Sequence, residues 1–486
     1  MEKIKNYIGG EFTDPSSGRY IENFNPSRGA AYSLVAGSNE NDVKLAFAAA
    51  QAAQPAWAAL PVEERARYLR ALSEAILERL DELARAESID NGKPIRLSRS
   101  LDIPRSAKNL RFFADAITQF HGEFFRDDSS TSAVTYSPLG VVATISPWNL
   151  PLYLLTWKIA PALAAGNAVI AKPSEVTPYT AFMLAKIARD VGFPTGVLNI
   201  VHGEGADVGA ALVKHPGIKA ISFTGSTATG RQIAQMAAGD FKKYSLEMGG
   251  KNPNIIFADC DFEKALETTM RSTFANQGQI CLCGSRILIE KEIYEKFRDG
   301  LVERAKALRL GDPLNDSTEQ GAVVSEPHMK KILHYIELAK KEGGKILCGG
   351  ERAILPGELK NGYFIQPTLI EGLKPNSSCN QDEIFGPVAT LIPFENENEA
   401  IEIANGTRYG LSASLWSNDV SRCDRVANAL NAGVVWINSW MVRDLRTPFG
   451  GVKESGVGRE GGELALRFFS EVKTISRPNG QGQSKA

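Results

Sequence analysis

Apolar residues between positions 61 and 91 recur at the spacing of an amphipathic helix. They lie three or four residues apart, with arginine and glutamate filling the other face: Leu69, Leu72, Ile76, Leu80 and Leu83. The sequence Asn-Gly-Lys-Pro at 91–94 predicts the end of this helix, and a second helix is predicted over about 103–120. Residues 1–35 alternate weakly and contain several turn pairs, which predicts a short antiparallel start.

From Val134 onward, short apolar runs alternate with helical segments. Strands are predicted at 140–146, 168–172, 197–201 and 220–224, and helices at 151–164, 179–191, 205–213 and 227–238. This alternation is typical of parallel βαβ units, so the sequence predicts an α/β fold with a doubly wound parallel sheet. A second alternating series runs from about Asn254 to Trp436 and predicts a second α/β unit.

Composition and charge exclude several classes of protein. The 55 lysines and arginines nearly balance the 56 acidic residues, and no basic run breaks this balance, so we expect no nucleic-acid partner. The most apolar stretch, 139–171, is interrupted by prolines and polar residues, which argues against a membrane span. The amino terminus lacks the apolar segment of a secretory signal, and the six cysteines form neither a CxxC pair nor a metal motif. We therefore expect a cytoplasmic protein without a metal site.

Two glycine-rich segments resemble nucleotide-binding motifs without matching them. Residues 202–209 are one residue too long for G-x-G-x-x-G. Gly225 and Gly230 have the spacing of a P-loop pair, but Arg231 and Gln232 stand where that motif requires Lys and Ser or Thr. Pattern alone therefore assigns neither segment to a phosphate.

Three residues could carry chemistry. Cys281 follows a turn-prone stretch rich in glycine and glutamine, as an accessible nucleophile would, although a buried structural thiol is the simpler interpretation. Glu247 ends an apolar run before two glycines, where it could act as a general base or be merely solvated. Asn149 lies between Pro147 and Pro151, which stiffen its backbone for hydrogen bonding or for a turn.

Together these segments resemble the aldehyde dehydrogenase superfamily over nearly the whole chain. Seven motifs stand in the order and at the spacing of that family: PWNLP at 147–151, KPSE at 172–175, FTGS at 223–226, LEMGGK at 246–251, GQIC at 278–281, EIFGP at 383–387 and PFGGVKESG at 448–456. Met248, where many members have leucine, is a mild departure. Cys283 lies beyond the matching position, so we interpret it as structural.

The resemblance implies the roles of the three candidates and a cofactor, NAD. Cys281 would attack an aldehyde to form a thiohemiacetal, with its oxyanion held by the Asn149 amide and the Cys281 backbone N–H. Oxidation would leave a thioester, which water activated by Glu247 would hydrolyse. The residues implied to bind NAD are Trp148, Lys172, Ser174, Glu175, Gly225, Ser226, Glu383 and Phe385. Among them, Glu175 would repel the 2′-phosphate of NADP.

Two segments, 102–106 and 438–448, resemble one branch of the family, the 2-hydroxymuconic and 2-aminomuconic semialdehyde dehydrogenases. That branch oxidises short unsaturated aldehydes that carry a distal carboxylate, and arginine binds a carboxylate bidentately. We therefore expect Arg105 and Arg446 to bind the substrate carboxylate, with Arg443 and Phe449 as further substrate contacts. The alternative is that the arginines form surface ion pairs, for instance with Asp444.

The resemblance also implies three parts and an assembly. The expected parts are an NAD-binding domain (1–118 and 139–247), a catalytic domain (248–450), and a small β oligomerisation element with the tail (119–138 and 451–486). A homodimer or homotetramer is expected. The competing functions are a generic aliphatic or betaine-type aldehyde dehydrogenase and a thioester-forming acyltransferase that uses coenzyme A. A non-catalytic protein of the lens-crystallin kind is disfavoured, because no candidate catalytic position is damaged.

Overall fold

Two large sheets organise the computed structural model, which describes residues 1–479. The first has eight strands in the order Gly456–Val457, Lys243–Glu247, Ile218–Thr224, Val141–Ile145, Ala168–Lys172, Leu198–Ile200, Asn6–Ile8 and Glu11–Thr13. Its five central strands are parallel, and the strand order reverses beside Val141–Ile145. The predicted doubly wound parallel sheet is therefore confirmed.

The central strands are short apolar runs because helices cover both faces of the sheet. Every residue of Val141–Ile145 and of Ala168–Lys172 is buried, as expected where a parallel sheet has no solvent-exposed face. The helices that accompany this sheet are Glu40–Ala59, Val62–Glu78, Leu80–Asn91, Ile103–Ile117, Pro151–Ala164, Tyr179–Asp190, Ala210–Lys214, Thr227–Ala238 and Gly462–Phe468, with π-helical turns at Ser98–Asp102 and Gly205–Gly209.

The second sheet has seven strands, six of them parallel. Their order is Lys345–Cys348, Thr368–Glu371, Val388–Phe394, Arg286–Glu290, Pro253–Ile256, Ser412–Trp416 and Val434–Ile437. Only the edge strand Lys345–Cys348 runs antiparallel to its neighbour. Helices of this half include Phe262–Phe274, Tyr294–Ala307, Glu326–Lys341, Glu397–Asn405 and Val420–Ala429.

Near the amino terminus, the structure differs from the predicted elements in three ways. Helix Glu40–Ala59 was not predicted. The long helix predicted from 61 to 91 is two helices, because Arg79 leaves helical geometry at φ −106° and ψ 25°. The antiparallel start is only partly correct, since Glu2–Ile4 pairs in parallel with Ala30–Ala36.

A separate three-stranded antiparallel sheet consists of Glu123–Arg126, Ser130–Pro138 and Ser470–Pro478. The chain between residue 451 and this last strand belongs elsewhere, because Gly456–Val457 pairs with the first sheet and Gly462–Phe468 packs into its core. Residues 480–486 of the expected tail lie outside the described residues. Within 1–479, no helix is both long and apolar enough to cross a membrane.

Candidate active site

A cleft of about 220 Å³ lies where the strand order of the first sheet reverses. The chain leaves Val141–Ile145 into the segment that carries Asn149, and leaves Ile218–Thr224 into Gly225 and Ser226. Ligands of doubly wound sheets bind at this position. The cleft is lined by Pro147, Trp148, Asn149, Thr224, Gly225, Ser226, Met248, Gly249, Cys281, His328, Lys331, Glu383 and Phe385.

Aromatic side chains form one wall of the cleft. The rings of Trp148 and Phe385 meet edge to face, with centroids 5.2 Å apart. Phe385 has a φ of +62°, and its carbonyl accepts a hydrogen bond from Nε2 of His328 at 2.7 Å. Burial lowers the pKa of His328 to about 4, so its ring is neutral and Nε2 carries the proton. The histidine therefore stabilises the strained backbone that presents Phe385.

Glu383 is fixed on the same side of the cleft. Its Oε1 accepts from the backbone N–H of Gly250 at 3.0 Å. A Cβ atom at Gly249 would lie 2.1 Å from Glu383 Oε2, so only glycine allows this approach. Burial raises the pKa of Glu383. One carboxyl oxygen is thus bound to the backbone beside the cleft.

The predicted ribose-binding segment lies next to a neighbouring cavity. Lys172 Nζ donates to Glu175 Oε2 at 2.9 Å, and Glu175 lines a cavity of about 250 Å³ together with Val176 and Val324. Burial raises the pKa of Glu175, but Lys172 outweighs it and the net shift is downward, so the carboxylate is charged. The Ser174 hydroxyl closes a local turn by accepting from the Val176 N–H, and its contact with a cofactor stays a prediction.

The loop before Cys281 has an unusual backbone. Asn276 and Gln277 adopt left-handed conformations, with φ of 50° and 55°, and Gly278 continues with φ of 69°. Non-glycine residues rarely adopt this region unless their surroundings fix them. Asn276 Nδ2 donates to the Asn149 carbonyl at 2.9 Å, and Gln277 Nε2 donates to Ala322 O at 2.7 Å. These side chains hold the loop in the shape that presents the thiol. Neither side chain belongs to a motif that predicts this role from the sequence.

Asn149 and Cys281 meet across the cleft from different sheets. The Asn149 amide donates one hydrogen bond to Gln279 O at 2.9 Å, which leaves its second N–H for another acceptor. Cys281 lies in a turn closed by the Cys283 N–H to Ile280 O hydrogen bond. Burial, with Glu383 and Glu247 nearby, raises the pKa of the Cys281 thiol, so it is protonated. Cys283 is buried in an apolar cluster, as expected for a structural thiol.

Glu247 lies on the other side of the thiol, beside a second, mainly apolar cavity of about 30 Å³. Both carboxyl oxygens of Glu247 are buried and lack hydrogen-bond partners among residues 1–479. Burial, and the negative charge of Glu460, raise its pKa well above the usual value. Glu460 itself is paired with buried Lys158 at 2.7 Å, a pair that no sequence motif predicts. Because Cys281 lines both cavities, it joins the cleft to this second space.

The four predicted substrate residues separate into two groups. Arg443 and Phe449 line the second cavity, with the guanidinium 3.9 Å from the centre of the Phe449 ring. Arg105 does not itself line the cavity, but its guanidinium lies 5.2 Å from the ring centre of Tyr153, which does. The expectation for Arg446 is corrected: its side chain is 81% exposed, pairs with Asp444 at 2.5 Å and does not line the cavity.

The match to known proteins covers nearly the entire chain. A model described as the aldehyde dehydrogenase family matches residues 12–475. A 2-aminomuconic semialdehyde dehydrogenase of Danio rerio is 49% identical over 97% of this chain and 98% of its own. The 2-hydroxymuconic semialdehyde dehydrogenase of Pseudomonas sp. (strain CF600) is 44% identical over 98% and 99%. The solved NAD⁺ complex of a Bacillus cereus aldehyde dehydrogenase has a TM-score of 0.96 and 38% identity, covering 98% of this chain and 97% of that chain. This chain, whose Cys281 thiol lines both the cleft of Asn149 and the cavity of Glu247, belongs to the aldehyde dehydrogenase family.

Proposed function

We propose that this protein oxidises an aldehyde with a distal carboxylate to the dicarboxylic acid, using NAD. The observation that carries the substrate class is a pair of arginines beside the apolar cavity. Arg443 donates to the Tyr153 hydroxyl at 3.3 Å, and Arg105 donates to Asn109 at 3.0 Å. Among the described residues, neither arginine has a carboxylate within ion-pair distance. Two partly buried cations without an acidic partner favour an anionic ligand.

The two charges act on each other. Burial lowers the pKa of Arg105, and the positive charge of Arg443 lowers it further. One Arg105 nitrogen, Nη2, is buried without a hydrogen-bond partner in the part of the chain that the structure describes. A carboxylate between Arg105 and Arg443 would relieve their repulsion and supply the missing acceptor. The semialdehydes named for the relatives carry such a carboxylate.

The residues of the cleft fit NAD. Ser226 caps helix Thr227–Ala238, whose first turn lies next to the cleft and suits a pyrophosphate. Lys172 and Glu175 would hold the adenosine ribose, and Glu383 the second ribose. The chemistry that NAD would supply in this cleft is that of a hydride acceptor for the reacting carbon.

The remaining chemistry belongs to the protein. The Cys281 thiol loses its proton to solvent water and the resulting thiolate attacks the carbonyl carbon, while the free Asn149 N–H and the Cys281 backbone N–H hold the oxygen anion. After oxidation, Glu247 removes a proton from water, which attacks the thioester and releases the acid and the thiol. A carboxyl group with a raised pKa is a stronger base than an ordinary glutamate, which suits it to this step.

Two competing functions are weaker. A generic aliphatic or betaine-type aldehyde dehydrogenase has no use for two unpaired arginines, and a betaine aldehyde is itself cationic. An acyltransferase would transfer the acyl group to coenzyme A and would not need a carboxyl group aligned with the thiol for water.

We also propose that the three-stranded sheet mediates a homodimer or homotetramer. It exposes four large apolar side chains: Phe124, Phe125, Val472 and Ile475. Clusters of this kind typically mark contacts between chains. The reduced thiol that the reaction needs fits the cytoplasm expected from the sequence. The three-domain division proposed from the sequence is kept, with Gly456–Val457 and Gly462–Phe468 transferred to the NAD-binding part.

Measurement of NADH formation against a substrate panel tests the proposal. The panel contains 2-hydroxymuconate semialdehyde, 2-aminomuconate semialdehyde, succinic semialdehyde, betaine aldehyde and hexanal. The carboxylated semialdehydes should give a kcat/KM at least about tenfold above that of hexanal or betaine aldehyde, since each charge-assisted hydrogen bond contributes about 1.5–3 kcal/mol. Equal kcat/KM values across the panel would support the generic enzyme instead.

A further inference from the structure

A wholly buried lysine lies directly behind Asn149. Lys93 follows the end of helix Leu80–Asn91, and its side chain is 0% exposed. Its Nζ donates to the backbone carbonyl of Asn149 at 3.0 Å. It also contacts Glu87 Oε1 at 3.3 Å and forms a shorter hydrogen bond with Asp102. An ammonium group is stable in such a place only when it is paired and hydrogen-bonded.

This cluster joins three parts of the proposed site. Glu87 lies on helix Leu80–Asn91, Asp102 ends the π-helical turn Ser98–Asp102, and the Asn149 carbonyl belongs to the oxyanion segment. π-Helical turns are rare and are frequently found at functional sites. Asp102 stands three residues before Arg105, at the start of the helix that carries this arginine. The lysine therefore connects the carboxylate-binding side of the site to the oxyanion side.

The cluster contains more acid than base. Two buried carboxyl groups face one ammonium group, and burial raises the pKa of Glu87 to about 7 and raises that of Asp102. Replacing both acids by apolar residues would avoid this cost of burial. The free-energy cost of burying two carboxyl groups is explained if they are needed to hold the lysine in one position.

The backbone of Asn149 is held from several sides. Its carbonyl accepts from Lys93 Nζ and from Asn276 Nδ2, and Asn91 Nδ2 donates to the neighbouring Trp148 carbonyl at 2.9 Å. The side-chain amide of Asn149 donates to Gln279 O. These hydrogen bonds fix both the backbone and the side-chain amide, so the free N–H has one direction.

We infer that Lys93, held by Asp102 and Glu87, is a positioning residue that fixes the Asn149 segment for oxyanion binding. The inference rests on the proposed role of Asn149. An oxyanion donor stabilises the transition state only when it is already in position before the reaction. A more mobile Asn149 segment would therefore lower the reaction rate even though the amide is still present. In this positioning role, Lys93 contacts neither the substrate nor the cofactor.

A double-mutant cycle separates positioning from general destabilisation. Lys93→Met should lower kcat/KM about tenfold or more in the wild-type background, but less than about twofold in the Asn149→Ala background, because the residue it positions is then absent. The dissociation constant for NADH should stay unchanged in all four proteins. Equal losses in both backgrounds would overturn the inference.

Two further variants keep the test decisive. Asp102→Asn retains the ammonium group and a hydrogen-bond partner for it. If Lys93→Met fails to fold, the same double-mutant cycle with Asp102→Asn tests whether the cluster positions Asn149. Ser98→Ala removes a buried hydroxyl from the same π-helical turn, where it contacts Ser88 at 2.9 Å, and should leave kcat/KM unchanged. If Asn149→Ala itself keeps the wild-type kcat/KM, the proposed role of Asn149 fails; if only the cycle is additive, the role of Lys93 fails.

Discussion

Replacing Arg443 by methionine tests the proposed substrate class most directly. The guanidinium packs 3.9 Å from the Phe449 ring centre and 5.3 Å from that of Trp157, and donates to Tyr153. Methionine preserves most of this apolar packing while removing the charge. Because Arg443 has no carboxylate partner within the described residues, the substitution leaves no unpaired acid. We therefore expect little change in the free energy of unfolding.

The expected effect on the substrate follows from the strength of one contact. A hydrogen bond to a charged group contributes about 1.5–3 kcal/mol, and each 1.4 kcal/mol changes an affinity about tenfold. Arg443 is only partly buried, which favours the lower half of this range. KM for a carboxylated semialdehyde should therefore rise about ten- to fortyfold. The fall in kcat should be smaller, because the carboxylate is bound equally before and during the reaction.

The assay compares a carboxylated semialdehyde with an uncharged aldehyde of similar length, by steady-state NADH formation. Arg443→Met and Arg105→Met should raise KM for the charged substrate and leave the uncharged one nearly unchanged. Arg446→Ala is the matched control, because Arg446 is exposed and paired with Asp444. Parallel rises in KM for both substrates, each measured at the pH optimum of the protein concerned, would refute the reasoning and make the arginines structural.

Further predictions concern the thiol, the base and the cofactor. Cys281→Ala should abolish NADH formation while leaving NAD binding nearly intact, whereas Cys283→Ala should keep substantial activity; a test of both variants checks this. Glu247→Gln should give a burst of about one NADH per site and an acyl adduct on Cys281 detectable by mass spectrometry. Since the pKa of Glu247 is raised, hydrolysis in the wild type should increase with pH well above the usual glutamate range, and Glu247→Gln should lose that increase. Glu175→Ser should narrow the preference for NAD over NADP, which should be at least about tenfold in the wild type.

The sheet could be predicted where its strands are buried on both faces. Ala168–Lys172 is a short, wholly buried run between helices, and its predicted limits match the structure. Helix Glu40–Ala59 gives a weak signal because much of its buried face is alanine, including Ala46 and Ala50. The break at Arg79 is invisible in the sequence, since Leu80 and Leu83 continue the apolar spacing across it.

The site was predictable as far as motifs extend. Cys281, Glu247 and Asn149 stand in motifs, but the direction of an arginine side chain depends on the local turn. Spacing alone cannot separate Arg443 from Arg446, because the two lie three residues apart in one segment. The structure separates them because Asp444 accepts from both the backbone N–H and the guanidinium of Arg446, turning it outward.

Arg443 also links substrate binding to the acid–base groups. Burial raises the pKa values of Cys281 and Glu247, and the positive charge of Arg443 partly opposes both shifts. Removing that charge should therefore move both pKa values upward, and activity with any aldehyde should need a higher pH. A bound substrate carboxylate neutralises the same charge. The pH profile of the wild type should therefore lie closer to that of Arg443→Met when the substrate is charged than when it is uncharged. KM values consequently have to be compared over the full pH range. Loss of carboxylate binding lowers kcat/KM at every pH, whereas loss of the positive charge shifts the pH profile along the pH axis.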